Sequence, residues 1–520
     1  MSQMLKSSGA TAIATMMSRV LGLVREMAYA QFMGTKWVAG AFVLAFQIPN
    51  LFRRLLGEGA LTAAFIPVFK QKEKNEGEAA MWHSANAVVS GLIVAASVIV
   101  LAGIVIISLV LGVMHFNDAS TILMLRLLRV MFPYLLLVCF AAVCMGMLNA
   151  RGHFFIPALG AAILNVVMIA SVYFIAPLMG AKPEERIFGL ALGVLIAGVA
   201  QAAFQMPLLW REGFRFRWVR PWNDTTVRHV VRQMLPGTIG VAAFQINVML
   251  ANGFTFFAVD PEIVAAFNYA VRLMELPQGV FGVSLAMYLL PTLAGLAAEK
   301  KYPEFRTTLR DGMGYLFFIN LLATVLLVLL AEPMIRLLFE HGEFDSAATH
   351  RTGIALMALA PGLLAFSSVN ILARAFYALG DIRTPMKISV FCLVLNALLT
   401  LPLVWFLREA GLGIANTATG LINAGLLAFA LRKKLARLDW QELRNFLLPL
   451  LLCAAAAAAA AAATLHLWNQ HLGHGNLWMK LGAVFVPMMD ATLIYFLIAF
   501  LLKVPFAHDF INLLRRRFRI

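Results

Sequence analysis

Arginine and glutamate recur together in stretches of this chain that are otherwise apolar, and the arginines outnumber the acids. Arg19, Arg25 and Glu26 lie in the first apolar stretch, Arg53, Arg54 and Glu58 in the second, and Arg272 and Glu275 in a later one. With about 3.6 residues per helical turn, Arg19 and Glu26 share a face, as do Arg54 and Glu58, and Arg272 and Glu275. An ionised side chain at bilayer depth costs at least ~2.5–3.5 kcal/mol, so a chain that keeps several of them lines a polar path with them. Two readings are open. Each pair is a structural bridge between helices, or the set binds an anion. Five arginines face three glutamates, leaving two positive charges over, and an unpaired buried charge is costly. The excess therefore favours a negatively charged ligand, and the planar guanidinium fork suits phosphate oxygens. Pro49 and Pro277 sit beside two of these groups. A proline inside a span frees a carbonyl and kinks the helix, so both are expected hinges. Arg374, Arg126 and Arg129 lie near segment ends, where a long side chain snorkels to the interface.

The elements that must position these residues are membrane spans. Mean hydropathy is +0.83, and only 13% of the 520 residues are charged, against about 25% in soluble domains. At ~20 apolar residues per span, the chain reads as an all-α polytopic membrane protein. Its fourteen helices are expected near 8–33, 37–70, 81–114, 119–150, 154–179, 186–211, 226–258, 262–297, 304–339, 346–379, 384–407, 411–434, 442–467 and 477–503. Lysine and arginine gather in alternate loops, from Lys70, Lys72 and Lys74 through Arg211–Arg232 to Arg432–Arg437 and the Arg515–Arg519 tail. That asymmetry places both termini in the cytoplasm. The net charge of +16 is thus a topology signal rather than a nucleic-acid patch, and the tail is a membrane-surface anchor. The first stretch, interrupted by Arg19 and Arg25, does not read as a cleavable signal.

The chain also repeats itself. A shift of 228 residues sets Pro133 on Pro361, Ala150 on Ala378, Gly152 on Gly380 and Pro157 on Pro385. An even number of spans separates the copies, so the lobes run parallel: helices 1–6 over 1–220, helices 7–12 over 221–438, and two extra helices with the basic tail over 439–520. Such halves put a substrate site at the midplane between them. The alanine run 454–463 permits close helix packing, with a groove for a lipid tail as the sharper alternative. Cys139, Cys144, Cys392 and Cys453 read as buried hydrophobes, and His466, His471 and His474 as solvated loop residues without metal partners. No Walker A, GxSxG or HExxH motif is present. Turnover is expected to draw on membrane potential or an ion gradient, with no cofactor and no metal.

Several fragments resemble one family. Ser18-Arg19-Val20-Leu21-Gly22-Leu23-Val24-Arg25-Glu26, Ile48-Pro49-Asn50-Leu51-Phe52-Arg53-Arg54 with Glu58-Gly59-Ala60, and Tyr269 with Arg272-Leu273-Met274-Glu275-Leu276-Pro277 are similar to the MurJ/MviN lipid II flippases. Ala373-Arg374-Ala375-Phe376-Tyr377-Ala378-Leu379-Gly380-Asp381 with Thr384-Pro385 is a further match. The resemblance spans essentially the whole chain and implies a MATE-like fold of the MOP exporter superfamily. It also implies a cavity lined by Arg19, Arg25, Arg53 and Arg272, with Glu275 as acidic companion and Glu26, Arg54, Glu58 and Arg374 in support. The last two helices would receive the polyprenyl tail. Two departures stand out: Gly40 and Val271 replace acids common in relatives. Asn396 and Asn416 stand where a sodium site described for some members would need acids.

The expected function is a flippase, not an enzyme, moving lipid II from the cytoplasmic to the outer leaflet of the bacterial inner membrane for peptidoglycan synthesis and cell shape. Its expected partners are lipid II, membrane lipids and cell-wall synthesis proteins, and no nucleic acid. The alternatives are an exporter of another lipid-linked oligosaccharide or a drug, and a membrane enzyme acting on a polyprenyl-phosphate sugar. The enzyme would draw on Asp260, Glu262, Glu340, Glu343 or Asp345.

Overall fold

The computed structural model describes residues 2–52, 60–435 and 440–507. Among them there is no strand; the fold is all-α. The helices are α1 (Ser2–Met33), α2 (Trp37–Phe52), α3 (Ala60–Glu76), α4 (Glu78–Val113), α5 (Ala119–Met131), α6 (Tyr134–Ala150), α7 (Phe155–Ala170), α8 (Pro183–Arg211), α9 (Thr225–Phe254) and α10 (Pro261–Pro277). They continue with α11 (Ser284–Ala298), α12 (Tyr302–Leu329), α13 (Ala331–Phe339), α14 (Ser346–Leu359), α15 (Gly362–Ala378), α16 (Arg383–Leu407), α17 (Glu409–Lys434), α18 (Trp440–His471) and α19 (Leu477–Leu501). Nine uninterrupted stretches of helix among the described residues are long and apolar enough to cross a membrane, and two bent pairs bring the number to eleven. Grouped across their breaks, the helices are consistent with the fourteen stretches read from hydropathy. Several of those stretches are broken rather than continuous.

The breaks have sequence causes. Pro133 and Pro361 each precede a helix and interrupt the one before it; α5–α6 bends by 43° and α14–α15 by 44°. Gly152 and Gly380 follow with φ of +88° and +74°, a region that favours glycine. The residues paired by the 228-residue shift thus do the same backbone work in both copies. Helix starts are marked by Asp118, Asp224, Asp345 and Asn476, whose side chains accept backbone N–H groups of the first turn. Each such cap is worth about 1 kcal/mol.

The chain forms two compact units, Met1–Ala265 and Ala266–Ile520. In the first, Phe65, Phe69, Met81, Val89, Met147, Leu148, Leu209 and Phe214 make a core beneath the α3–α4 corner. Helix α9, which the repeat assigns to the second lobe, packs on α2, α3 and α4. In the second unit, α11, α12, α15 and α17 share one apolar cluster. A separate cluster joins Ala454, Ala457 and Ala461 of α18 to Ala491, Tyr495 and Ala499 of α19. There the alanine run does pack helices closely, and Tyr495 donates its hydroxyl hydrogen to the Phe318 carbonyl at 2.7 Å. All four cysteines are buried, and among the described residues none forms a disulfide. His474 departs from the solvated reading: burial, then the nearby Arg336 charge, pushes its imidazole below the ordinary value.

Ion pairs close the loop ends. Arg151 reaches Glu73 at 2.5 Å, Glu212 at 2.8 Å and Glu78 at 3.5 Å. His153 also meets Glu212 at 2.8 Å, and Arg151 first, then His153, holds the Glu212 carboxyl below its usual range. Asp381 accepts from Lys434 Nζ at 2.7 Å and from the Thr384 amide at 3.0 Å. Lys434 first, then Thr384, depresses its carboxyl. A depressed carboxyl stabilises the fold above its unfolded-state pKa, near ~3.9, and that contribution is lost as pH falls through the folded value. Asp381→Ala should therefore cost about 1 kcal/mol at pH 7, with the gap to wild type closing in acid. Thermal unfolding in detergent at both pH values checks this.

Candidate functional site

Arg25 is the best-defined member of the arginine set. Its side chain is 13% exposed, on α1. Nη2 donates to Glu26 Oε1 at 2.5 Å and Nη1 to Asn165 Oδ1 at 3.0 Å. The guanidinium carbon lies 5.4 Å from the Tyr29 ring centroid, a cation–π distance. Asn165 is buried on α7, and its Nδ2 donates to the Ser18 carbonyl of α1 at 3.0 Å. One amide thus ties α1 to α7 and orients the guanidinium. A guanidinium has five N–H donors; two are used here, and Nε is buried with no hydrogen-bond partner among the described residues. Nη1 and Nη2 each keep one N–H, whereas Nε is closed off by burial.

Sequence reasoning missed Asn165. Its signal was present: a single amide in an otherwise apolar sixteen-residue helix, where a polar side chain must find a partner. Asn165→Ala should leave Arg25 charged but unaimed. Transport is expected to fall about tenfold, the effect of losing one hydrogen bond to a charged group, with membrane abundance retained. Asn165→Gln should recover less than half of it. Quantitative transport assays on matched protein amounts check both.

Arg19 is exposed on α1, more than a turn before Arg25, while Glu26 is buried. Arg272 of α10 donates Nη1 to Glu275 Oε2 at 2.9 Å, both side chains being more than one-third exposed. The i, i+3 pairing read from spacing is therefore formed. Arg374 is half-buried and donates Nη1 to the Asn370 carbonyl of its own helix at 3.1 Å. Pro49 is buried within α2; Pro277 ends α10 and opens onto a π-helical segment, Gln278–Val283. Arg53, Arg54 and Glu58 lie outside the described residues.

The departures now have structural content. A Cβ on Gly40 would stand 2.1 Å from the Pro261 carbonyl oxygen and 2.7 Å from its carbon. The backbone at the start of α10 occupies the place of any side chain there. Asn396 Nδ2 donates to Thr419 Oγ1 at 3.1 Å and so ties α16 to α17, whereas Asn416 Nδ2 donates to the Leu412 carbonyl of its own helix at 2.8 Å. Three of the five acids offered for enzyme chemistry make structural bonds. Asp260 accepts from the Glu262 amide, Asp345 caps α14, and Glu340 accepts from Arg336 and Thr349. Among the described residues, no group of three or more His, Cys, Asp or Glu side chains could hold a metal ion.

A family model, "Lipid II flippase MurJ", matches residues 29–482. A probable lipid II flippase MurJ of Bdellovibrio bacteriovorus is 34% identical over 507 residues, 96% of this chain and 95% of its own. That of Rhizobium tropici is 33% identical over 496 residues, 94% and 92% of the two chains. Among solved structures, a lipid II flippase MurJ in an inward closed conformation superposes with a TM-score of 0.76 at 22% identity, covering 96% of this chain and 99% of its own. An inward-facing MATE family multidrug transporter of the MOP superfamily gives 0.66 at 16% identity, covering 83% and 98%. Those two likenesses speak for the fold, and the matched length and sequence identity speak for descent: the chain belongs to the MurJ lipid II flippase family.

Proposed function

We propose that this protein is a flippase that carries lipid II from the cytoplasmic to the periplasmic leaflet of the bacterial inner membrane for peptidoglycan synthesis, with both termini in the cytoplasm. The diphosphate binds Arg19, Arg25, Arg53 and Arg272, while the polyprenyl tail stays in lipid. Glu26, Arg54, Glu58, Glu275 and Arg374 tune the charge around them. Pro49 and Pro277 act as hinges, and alternating access moves the head group across. A potential negative inside favours outward movement by about 2.3 kcal/mol per charge per 100 mV, less whatever co-moving arginines offset. Membrane potential or an ion gradient supplies the drive.

The observation that supports this reading is the part-buried Arg25 guanidinium, aimed by Asn165 and Glu26 with one N–H left on each of Nη1 and Nη2. Arginine excess inside apolar helices suits a phosphate-bearing cargo; a cationic drug would call for acids and aromatics instead. The test is complementation of a strain depleted of its lipid II flippase. An externally added lipid II-cleaving toxin reports arrival at the outer leaflet. Rescue with toxin-accessible lipid II is expected. Growth without it, or neither, would overturn the reading. Incubation of purified protein with lipid II should return it chemically unchanged.

A further inference from the structure

Between α8 and α9 the chain leaves helical structure over 213–220, yet this stretch is firmly held. Phe214 is buried with its ring centroid 5.7 Å from that of Trp82. Asn86 of α4 acts like a neighbouring strand: Nδ2 donates to the Arg215 carbonyl at 3.0 Å, and Oδ1 accepts the Arg217 amide at 2.9 Å. One turn on, Ser90 Oγ accepts the Val219 amide at 3.2 Å. A buried amide and hydroxyl of a membrane helix are thus spent on fixing a surface loop.

What the strap presents outward is a mixture of two residue types. Arg211, Arg215, Arg217 and Arg220 are exposed, and between and beside them Trp210, Phe216, Trp218 and Trp222 are each about half exposed. Arg228 and Arg232 follow, exposed, on the first turns of α9. No ion pair joins any of these six arginines to a carboxylate among the described residues. The two acids of the stretch are engaged elsewhere, Glu212 with Arg151 and His153, Asp224 in capping α9. Arg215 spends Nη1 on the carbonyls of Trp210 and Phe214 and so closes α8. Arg211, Arg217 and Arg220 have no such bond among the described residues, and all three are exposed.

We propose that Trp210–Trp222 is a docking strap for the phosphate head groups of anionic membrane phospholipids. The indoles sit in the interfacial layer, where amphipathic rings are enriched, and Arg211, Arg217 and Arg220 take the phosphates through their forks. Positive charge that served only to orient the chain in the membrane would need no fixed backbone. The Asn86 and Ser90 bonds set these side chains at defined places, which is what a binding surface requires. Each basic side chain near an anionic leaflet is worth about fivefold in partition.

The full-length protein in phosphatidylcholine nanodiscs tests this, with tryptophan quenching by brominated phosphatidylglycerol compared against brominated phosphatidylcholine at equal mole fraction. Stronger quenching by the anionic lipid is expected, weakening in high salt. In the Arg211→Ser, Arg217→Ser, Arg220→Ser variant, the relative affinity for anionic lipid should fall at least about tenfold, and the three Arg→Lys changes should keep most of it. Equal quenching of the wild type by both lipids would overturn the proposal, as would a preference that survives the serine changes or is insensitive to salt. Preferential displacement by undecaprenyl diphosphate at equal charge would assign the strap to the cargo and overturn it too. If the serine variant fails to fold, the salt response and the lysine variant decide.

Discussion

Arg272→Ala protein accumulates in the membrane at the wild-type level and delivers about ten- to hundredfold less lipid II to the outer leaflet. The two halves of this expected result have separate causes. Arg272 and Glu275 sit one turn apart on α10 with side chains 38% and 50% exposed, and a pair that open contributes at most about 1 kcal/mol to folding. Truncating Arg272 therefore spares the helix. Transport is another matter, because a charge-assisted bond to phosphate is worth roughly 1.5–3 kcal/mol, a ten- to hundredfold loss. Arg272→Lys should fall between, keeping the charge and losing the fork. Toxin protection of lipid II, on matched amounts of protein, is the measurement. Wild-type flipping by the alanine variant would remove Arg272 from the binding set.

The second large effect is expected at Gly40. Gly40→Asp, which places an acid where the resemblance leads one to expect it, should lower both the amount of folded protein and its transport rather than improve either. A Cβ there meets the Pro261 carbonyl oxygen at 2.1 Å. No rotamer relieves a clash with backbone, so α2 or the start of α10 must move. Overpacking of this kind costs about 1–3 kcal/mol, and the carboxylate adds repulsion from a carbonyl oxygen. Gly40→Ala should act in the same direction with a smaller loss. Fluorescence-detected size exclusion and unfolding temperature check the fold; the toxin assay checks function. An Asp variant with wild-type stability and transport would show that the close approach is dispensable.

Much of this was open to a reader of the residues. Runs of about twenty apolar positions have one solution in lipid, the helix, because every backbone polar group must be paired within the segment. The matched prolines and glycines of the two copies announced bends that are equal to within a degree, 43° and 44°. The Gly380–Asp381 motif reads as chemistry but serves as architecture. Glycine supplies the left-handed turn, and aspartate caps α16 through Thr384 while pairing with Lys434. Tyr269, another residue of the resemblance, is buried against Phe339 and Phe344. Matches to a family mark both kinds of residue, and spacing along one chain cannot separate them.

The amino-acid order alone determined the helical membrane class, the repeat, the arginine surplus and the i, i+3 bridge of Arg272, since all of these depend on local periodicity and composition. Tertiary structure decided that Arg25 is aimed by Asn165, 140 residues away, that Gly40 leaves room for the Pro261 backbone, and that Asn86 and Ser90 hold a loop more than 120 residues on. Contacts between distant segments follow from which helix faces meet, and hydrophobic periodicity says which face is apolar without naming its neighbour.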